Sequence, residues 1–209
     1  MAASRQTDPR RRRLQLIAVI GFGSLIWNLA SGGKALNLPS RWHKDGPLLR
    51  VEYSRVSSDH RLTLVIVRDA EPQQTLWAYS GYGTVEDARE NLRVREGRGV
   101  LTEEIGAWTA GSHQGGDEDA QAVSRWARAK RLDGVVWTRL PPKDADGHST
   151  RMLEARSRQY LSRLMGKDRT LAEEYIRKTP GQINTEVRKL ARERLEWTDY
   201  PLPIDLFAE

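Results

Sequence analysis

The chain has 209 residues, 38% of them hydrophobic and 30% charged, a balance suited to one globular domain with a real core. It contains no cysteine, which excludes disulfides, thiolate metal sites and a cysteine nucleophile, and fits a reducing, cytoplasmic setting. Of the formal net charge of +6, four charges fall in residues 1–13, which hold five Arg and one Asp; the near-neutral remainder argues against a nucleic-acid-binding surface.

Residues 1–13 read as a basic disordered tail, 14–200 as a single domain and 201–209 as an extended C-terminal tail. Arg10–Arg13 followed by Leu14–Trp27 also has the outline of a signal peptide, with Leu29-Ala30-Ser31-Gly32 as a cleavage neighbourhood. The apolar stretch is too short and too glycine-broken to span a membrane. A first strand buried on both faces accounts for the same residues. In chain order, strands are expected at Leu16–Gly21, Arg50–Val56, Arg61–Val67, Thr75–Tyr79, Ile105–Ala110 and Gly134–Leu140. The second and third of these form a hairpin through the turn residues Ser57-Ser58-Asp59-His60.

The spacing of Val85, Ala88 and Leu92 predicts a helix over 85–95, capped by Thr84 with Asp87 three residues on and ended by Gly97. A second helix is expected over about 118–130. The last third reads as almost wholly helical. One helix opens at Ser149 and closes at Gly166, and a short one runs from a Thr170/Glu173 capping box to about Arg177. A final helix has Thr179 as cap, Pro180 at its first position and Gln182 as the N3 partner of the cap, and reaches about Trp197. The fold class expected is α+β: a small mixed six-stranded β-barrel or curled sheet, surrounded by helices and followed by a helical C-terminal third.

The most informative segment is Gly21-Phe22-Gly23-Ser24-Leu25-Ile26-Trp27, directly after the first strand. It is not a dinucleotide fingerprint, because Ile26 stands where a third small residue is needed and no long helix follows. Two readings of the residues stand level. Either the glycines permit unusual dihedrals in a tight turn, or the exposed amides and the Ser24 hydroxyl hold a carboxylate or another anion.

This segment resembles the Gly-Tyr-Gly-Ser-Leu-Ile-Trp signature of gamma-glutamylcyclotransferase-like proteins, including the ChaC branch. Leu92-Arg93-Val94-Arg95-Glu96-Gly97 is similar to the element that carries that family's catalytic glutamate. Tyr53-Ser54-Arg55-Val56-Ser57 and Arg61–Val67 look like the stretch between the two motifs. The resemblance covers about residues 16–140, and the helical C-terminal third matches poorly. It implies that Phe22, Gly23, Ser24 and Leu25 bind the amino and carboxylate end of a γ-glutamyl group, and that Glu96 is the general acid–base. The implied activity is that of an acyltransferase/lyase which cyclises a γ-glutamyl amide to 5-oxoproline and releases the amine, without metal or organic cofactor. Phe22 replaces the family's tyrosine and Arg93 its aspartate. The leaving amine is open between glutathione, γ-glutamyl amino acids, γ-glutamylamines and biosynthetic intermediates, and so is the oligomeric state. The alternative is a non-catalytic ligand-binding or interaction protein on the same fold. A third reading, RNA or membrane-surface binding by the tail, depends on Arg10–Arg13.

On its own chemistry, Glu96 sits at the C-terminal end of a helix, where the macrodipole disfavours an anion. Arg95 and Arg98 act in the opposite sense if they point the same way. The histidines His43, His60, His113 and His148 are scattered, with no pair at ligand spacing. Tyr175 either faces the pocket and offers a hydroxyl, or packs in the core with Ala172 and Ile176.

Overall fold

The computed structural model describes residues 15–31, 34–112, 116–152 and 154–208; the basic segment 1–13 and His113 lie outside them. The chain order is β1 (Ile17–Gly21), β2 (Ala30–Ser31), β3 (Lys34–Ala35), β4 (Leu48–Leu49), β5 (Val51–Val56), β6 (Leu62–Ile66), β7 (Gln73–Gln74), β8 (Leu76–Tyr79), α1 (Val85–Glu96), β9 (Ile105–Thr109), α2 (Glu118–Ala129), β10 (Gly134–Thr138), α3 (Glu154–Arg163), α4 (Gly166–Lys178) and α5 (Glu186–Leu195). The architecture is α+β, and each of the six strands expected from sequence is present within two residues of its expected ends. No helix among the described residues is long and apolar enough to cross a membrane.

The central sheet has the order β8-β1-β10-β9. Strand β1 pairs antiparallel with β8 and parallel with β10, and all five of its residues are buried. A strand with neighbours on both edges and cover on both faces has no polar side, which is why Ile17–Ile20 is uninterrupted apolar sequence. Helix α1 packs on β9 and β10 through Val85, Ala88 and Leu92. Its start follows the expected chemistry, with the Thr84 hydroxyl accepting from the Asp87 amide at 3.1 Å.

The strands do not close into a six-stranded barrel. The chain changes partners at two corners instead. At Arg50 the strand leaves β7 and joins β6, and the Arg50 amide, taken out of the ladder, donates to the Asp119 carboxylate at 3.0 Å. At Thr75 the strand leaves β4 and joins β1, with the Thr75 hydroxyl donating to the Pro47 carbonyl at 2.6 Å. Strand β6 pairs with β5 alone, so no β6–β9 ladder seals the circuit among the described residues. Closure requires every edge to find a strand; here the free β6 edge borders a cavity.

The C-terminal helices depart from expectation at their ends, each time because a tertiary hydrogen bond displaces a local cap. Residues 149–152 do not begin α3; the Met152 amide donates to the buried Ser54 hydroxyl at 2.8 Å and holds this stretch against β5. Gly166, in the left-handed region at φ 52°, opens α4 rather than ending α3. Thr170 lies inside α4 and its hydroxyl donates back to the Gly166 carbonyl at 3.2 Å. Thr179 ends α4 instead of capping the next helix, which starts after Thr185 and stops at Leu195. Gln182, free of any capping role, donates to the carbonyls of Lys44, Gln74 and Thr75. Within 201–208 the chain is docked rather than an extended tail: Trp42 exchanges backbone hydrogen bonds with Leu206 and Ala208.

A buried hydrogen bond helps fasten helix α4 to β5. The Tyr53 phenol, fully buried, donates to the Thr179 hydroxyl at 2.7 Å, and that hydroxyl donates on to the Tyr175 carbonyl at 3.1 Å. Thr179→Val strands the phenol in a dry environment and should cost about 1–3 kcal/mol. In the double variant with Tyr53→Phe there is no phenol left to strand, so its loss should be smaller than the sum of the singles. Urea denaturation of the four proteins measures this; strict additivity would mean the hydrogen bond carries no coupling.

Candidate functional site

Strand β1 delivers the segment Phe22–Trp27 to one end of the sheet, where it turns through bonds from the Ile26 amide to the Gly23 carbonyl and from the Asn28 amide to the Ser24 carbonyl. Phe22, Leu25 and Ile26 are buried and anchor the turn. Neither Gly21 nor Gly23 occupies the left-handed region, so unusual dihedrals are not what the glycines provide. They provide space. A Cβ on Gly21 would press on the Trp42 ring, and one on Gly23 would run into the Tyr175 hydroxyl.

The last turn of α1 meets this segment. Arg95 is 3% exposed and its guanidinium donates to the Glu96 carboxylate at 2.7 Å, to the Ser24 hydroxyl at 3.4 Å and to the Asn28 carbonyl. The cation thus joins the helix end to the loop and answers the carboxylate, in the sense opposite to the helix dipole. Glu96, with a side chain 13% exposed, uses Oε1 for this pair, and Oε2 has no protein partner among the described residues. Gly97 follows at φ 134°, a conformation that releases the chain at the helix end.

Phe22, Gly23, Ser24, Leu25 and Glu96, the five residues singled out from sequence, all line a single cavity of about 510 Å³. The cavity is closed on another side by β5 and β6, through Arg55, Thr63 and Leu64, and by Tyr175 of α4. Its size is ordinary for a small-molecule site. A larger and more open hollow, about 820 Å³ between α3 and α5, contains none of the five residues.

Tyr175 both packs and points inward. It is 5% exposed and meets the Trp27 ring edge-on at 5.3 Å and the Tyr53 ring at 6.2 Å. Its oxygen accepts from the Leu64 amide at 3.5 Å and faces the Ser24 amide, so one of the loop amides expected to be open is turned to a phenol. Burial pushes the Tyr175 phenol above its ordinary value; the Leu64 and Ser24 amides oppose this, the Glu96 charge adds to it and Arg61 opposes it. The group is therefore a neutral donor at physiological pH, and its own proton has no acceptor among the described residues.

Another cation on the wall is already engaged. Arg61 pairs with Asp59 at 2.6 Å and lies over the Tyr175 ring at 5.6 Å. Against the burial that would raise it, hydrogen bonds from Arg61 and Ser57 hold the Asp59 carboxyl below its usual range. The described histidines do not converge on the cavity: His43 stacks on Trp77 at 4.4 Å, and exposed His60 pairs with Asp168 at 2.7 Å. His148 does gather with Asp144 and Asp146 on a surface loop, their ligand atoms within 4.8 Å of one another. There Asp144 Oδ1 already accepts the amides of Asp146 and His148, at 3.1 and 2.8 Å, which is how an Asp-initiated turn closes on itself.

Two members of the site, Arg95 and Tyr175, were not among the five residues singled out from sequence. The stripe Val85, Ala88, Leu92 extends at helical spacing to Arg95, and that signal marks Arg95 rather than Glu96 as inward-facing. For Tyr175 the spacing with Ala172 and Ile176 shows burial only, and nothing local tells which cavity it reaches.

The close approach of Gly23 to Tyr175 is open to a direct test. Gly23→Ala should destabilise the protein by about 1–3 kcal/mol, as overpacking does. Tyr175→Phe removes the oxygen that the new methyl meets, so in that background the same substitution should cost well under half as much. Thermal denaturation decides, and an equal cost in both backgrounds would place the clash elsewhere.

Compared with protein-family models, with curated proteins and with solved structures, the chain matches none, and the reading of this cavity rests on its own residues.

Proposed function

We propose that the protein is a gamma-glutamylcyclotransferase-like enzyme that converts a γ-glutamyl amide to 5-oxoproline and a free amine, in a cytoplasmic setting and without a cofactor. The observation that carries this reading is the convergence of Glu96 with Gly23 and Ser24 on one cavity, from segments some seventy residues apart. Under this reading Glu96 Oε2, left free by Arg95, takes a proton from the substrate's α-ammonium. The amine so formed attacks its own γ-carbonyl carbon, closing the five-membered ring, and the carboxyl returns the proton to the departing nitrogen as the amide bond breaks. Holding the substrate folded in a cavity of this size supplies the proximity that ring closure needs. Tyr175, neutral and with an unused proton, is suited to donate to the carbonyl oxygen as negative charge develops there. Its hydroxyl would serve where Phe22 lacks one.

A second reading, a ligand-binding protein without turnover, has one observation in its favour. Glu96 is paired with Arg95 and the Ser24 amide faces Tyr175, so both polar groups have partners before any ligand arrives. Release of 5-oxoproline from a panel of γ-glutamyl amides, measured for wild type and Glu96→Gln, separates the two. Turnover that falls at least about a hundredfold in the variant is expected for an acid–base residue. Equal rates in both proteins would move the chemistry away from Glu96, and a folded wild type inert on every amide would leave the binding reading in possession of the cavity.

A further inference from the structure

Outside the candidate site, α3 and α5 lie side by side and run roughly the same way. Their starts share one hollow of about 600 Å³, lined by Glu154 and Ala155 of α3 and by Glu186 and Val187 of α5. Arg194 and Leu195, at the end of α5, share the hollow of about 820 Å³ with α3 residues from Ala155 to Ser162. Ala155 lines both hollows, so the two adjoin on one face of the molecule. None of the residues around either hollow lines the candidate site. On α3, Ala155, Gln159 and Ser162 recur at steps of four and three, which puts them on one side of the helix, and all three are exposed.

The two hollows carry opposite charge. The first is lined by Asp69, Glu71, Glu154 and Glu186 with Arg151 as its one cation, and the second by Arg156, Arg158 and Arg194 with no carboxylate. Within the chain, Arg151 is taken by Asp69 at 3.1 Å and Glu186 by Lys189 at 2.6 Å. That leaves Glu71 and Glu154 on one side, and the three arginines on the other, without an ion pair among the described residues. All five are exposed. Helix dipoles account for an acid at the start of α3 and a base at the end of α5. They do not account for Glu71, which lies in no helix, or for Arg156, which stands near the start of one. The surplus charge is sorted by sign along a single face.

We propose that the α3–α5 face is the contact between two copies of this chain, related by a two-fold axis passing beside Ala155. A two-fold contact is self-complementary: if one residue meets a second on the partner copy, the second meets the first. The acidic hollow of each copy then faces the basic hollow of the other, and the match is made twice. A polyanion would be drawn to one hollow and repelled by its neighbour, and an acidic peptide likewise, whereas a second copy satisfies both. The small side chains Ala155 and Ser162 keep the surface of α3 low enough for close approach, and half-buried Leu195 supplies an apolar floor. The contact leaves the candidate site open and does not depend on the reaction proposed for it.

Sedimentation velocity of the full chain over a concentration series tests this. Wild type should pass from monomer to dimer as concentration rises. The dimer should weaken when NaCl is raised from about 0.1 to about 1 M, which shortens the screening length from about 10 to about 3 Å. Two double variants reverse one hollow each: Arg158→Glu with Arg194→Glu, and Glu71→Arg with Glu154→Arg. Each sets like charges against each other and should raise the dimer Kd at least about tenfold, with circular dichroism establishing that it is folded. An equimolar mixture of the two sets opposite charges together at both contacts and should return the Kd close to that of wild type. Mixing cannot repair a folding defect, so this rescue is the decisive reading. Variants that weaken the dimer without rescue on mixing would overturn the two-fold charge match, and a Kd that neither variant changes would put the interface elsewhere. A wild type that stays monomeric at every concentration in low salt overturns the proposal outright. Retention of that monomer on heparin, lost in Arg158→Glu with Arg194→Glu, would then give the face to a polyanion.

Discussion

The site depends on how α4 is seated. Tyr53 on β5 donates to Thr179 at the end of α4, and one turn earlier Tyr175 reaches between the loop after β1 and the free edge of β6. Those two tyrosines meet edge-on inside the protein, and the Trp27 ring closes on the second of them. Remove that seating and the loop loses the phenol against which Gly23 is fitted, while β6 loses the oxygen that receives an otherwise unpaired strand amide. A segment far along the chain thereby completes a site whose other parts lie in the first hundred residues.

The failure of the sheet to close has a consequence for chemistry. A small closed barrel fills its interior with side chains. Here the corners at Arg50 and Thr75 turn the strands without sealing them, and the space beside β6 remains a cavity. The polar groups around that space are arranged by charge. Arg95 holds Glu96, Arg61 holds Asp59, and neither Arg55 nor Lys143 has an ion pair among the described residues.

Arg95 illustrates why a buried charge need not be a liability. Almost fully withdrawn from solvent, its two terminal nitrogens donate to a carboxylate, a hydroxyl and a carbonyl from two different segments, while its Nε has no partner among the described residues. Removing any one partner of such a cation leaves the rest of the charge poorly compensated. The same geometry ties the position of Glu96 to that of the loop, so the acid–base group and the binding loop of the proposed mechanism move as one unit.

Local pattern by itself determined a good deal. The apolar run Ile17–Ile20, the hairpin around Ser57–Arg61, and the helix from Thr84 to Gly97 were legible because each rests on neighbours in sequence: two-sided burial, turn chemistry, a cap and a helix-ending glycine. The five residues of the two motifs stood out as candidates through their resemblance to a known family, which consecutive residues also carry. What only the tertiary structure decided was every feature whose partner lies far along the chain. Thr179 and Gln182 look like helix caps, but Tyr53 and the carbonyls of Lys44, Gln74 and Thr75 claim their polar groups, and the last helix begins later than its local signals indicate. One of the two sequence readings made the glycines at 21 and 23 dihedral devices, yet they make room for Trp42 and Tyr175. Six strands suggest a circuit, but whether it closes depends on which edges meet, and the Asp119 carboxylate at the Arg50 corner takes a backbone amide out of the ladder. Short-range hydrogen bonds and periodicity are written in consecutive residues; the competition among distant donors and acceptors for the same group is settled only when the chain is packed.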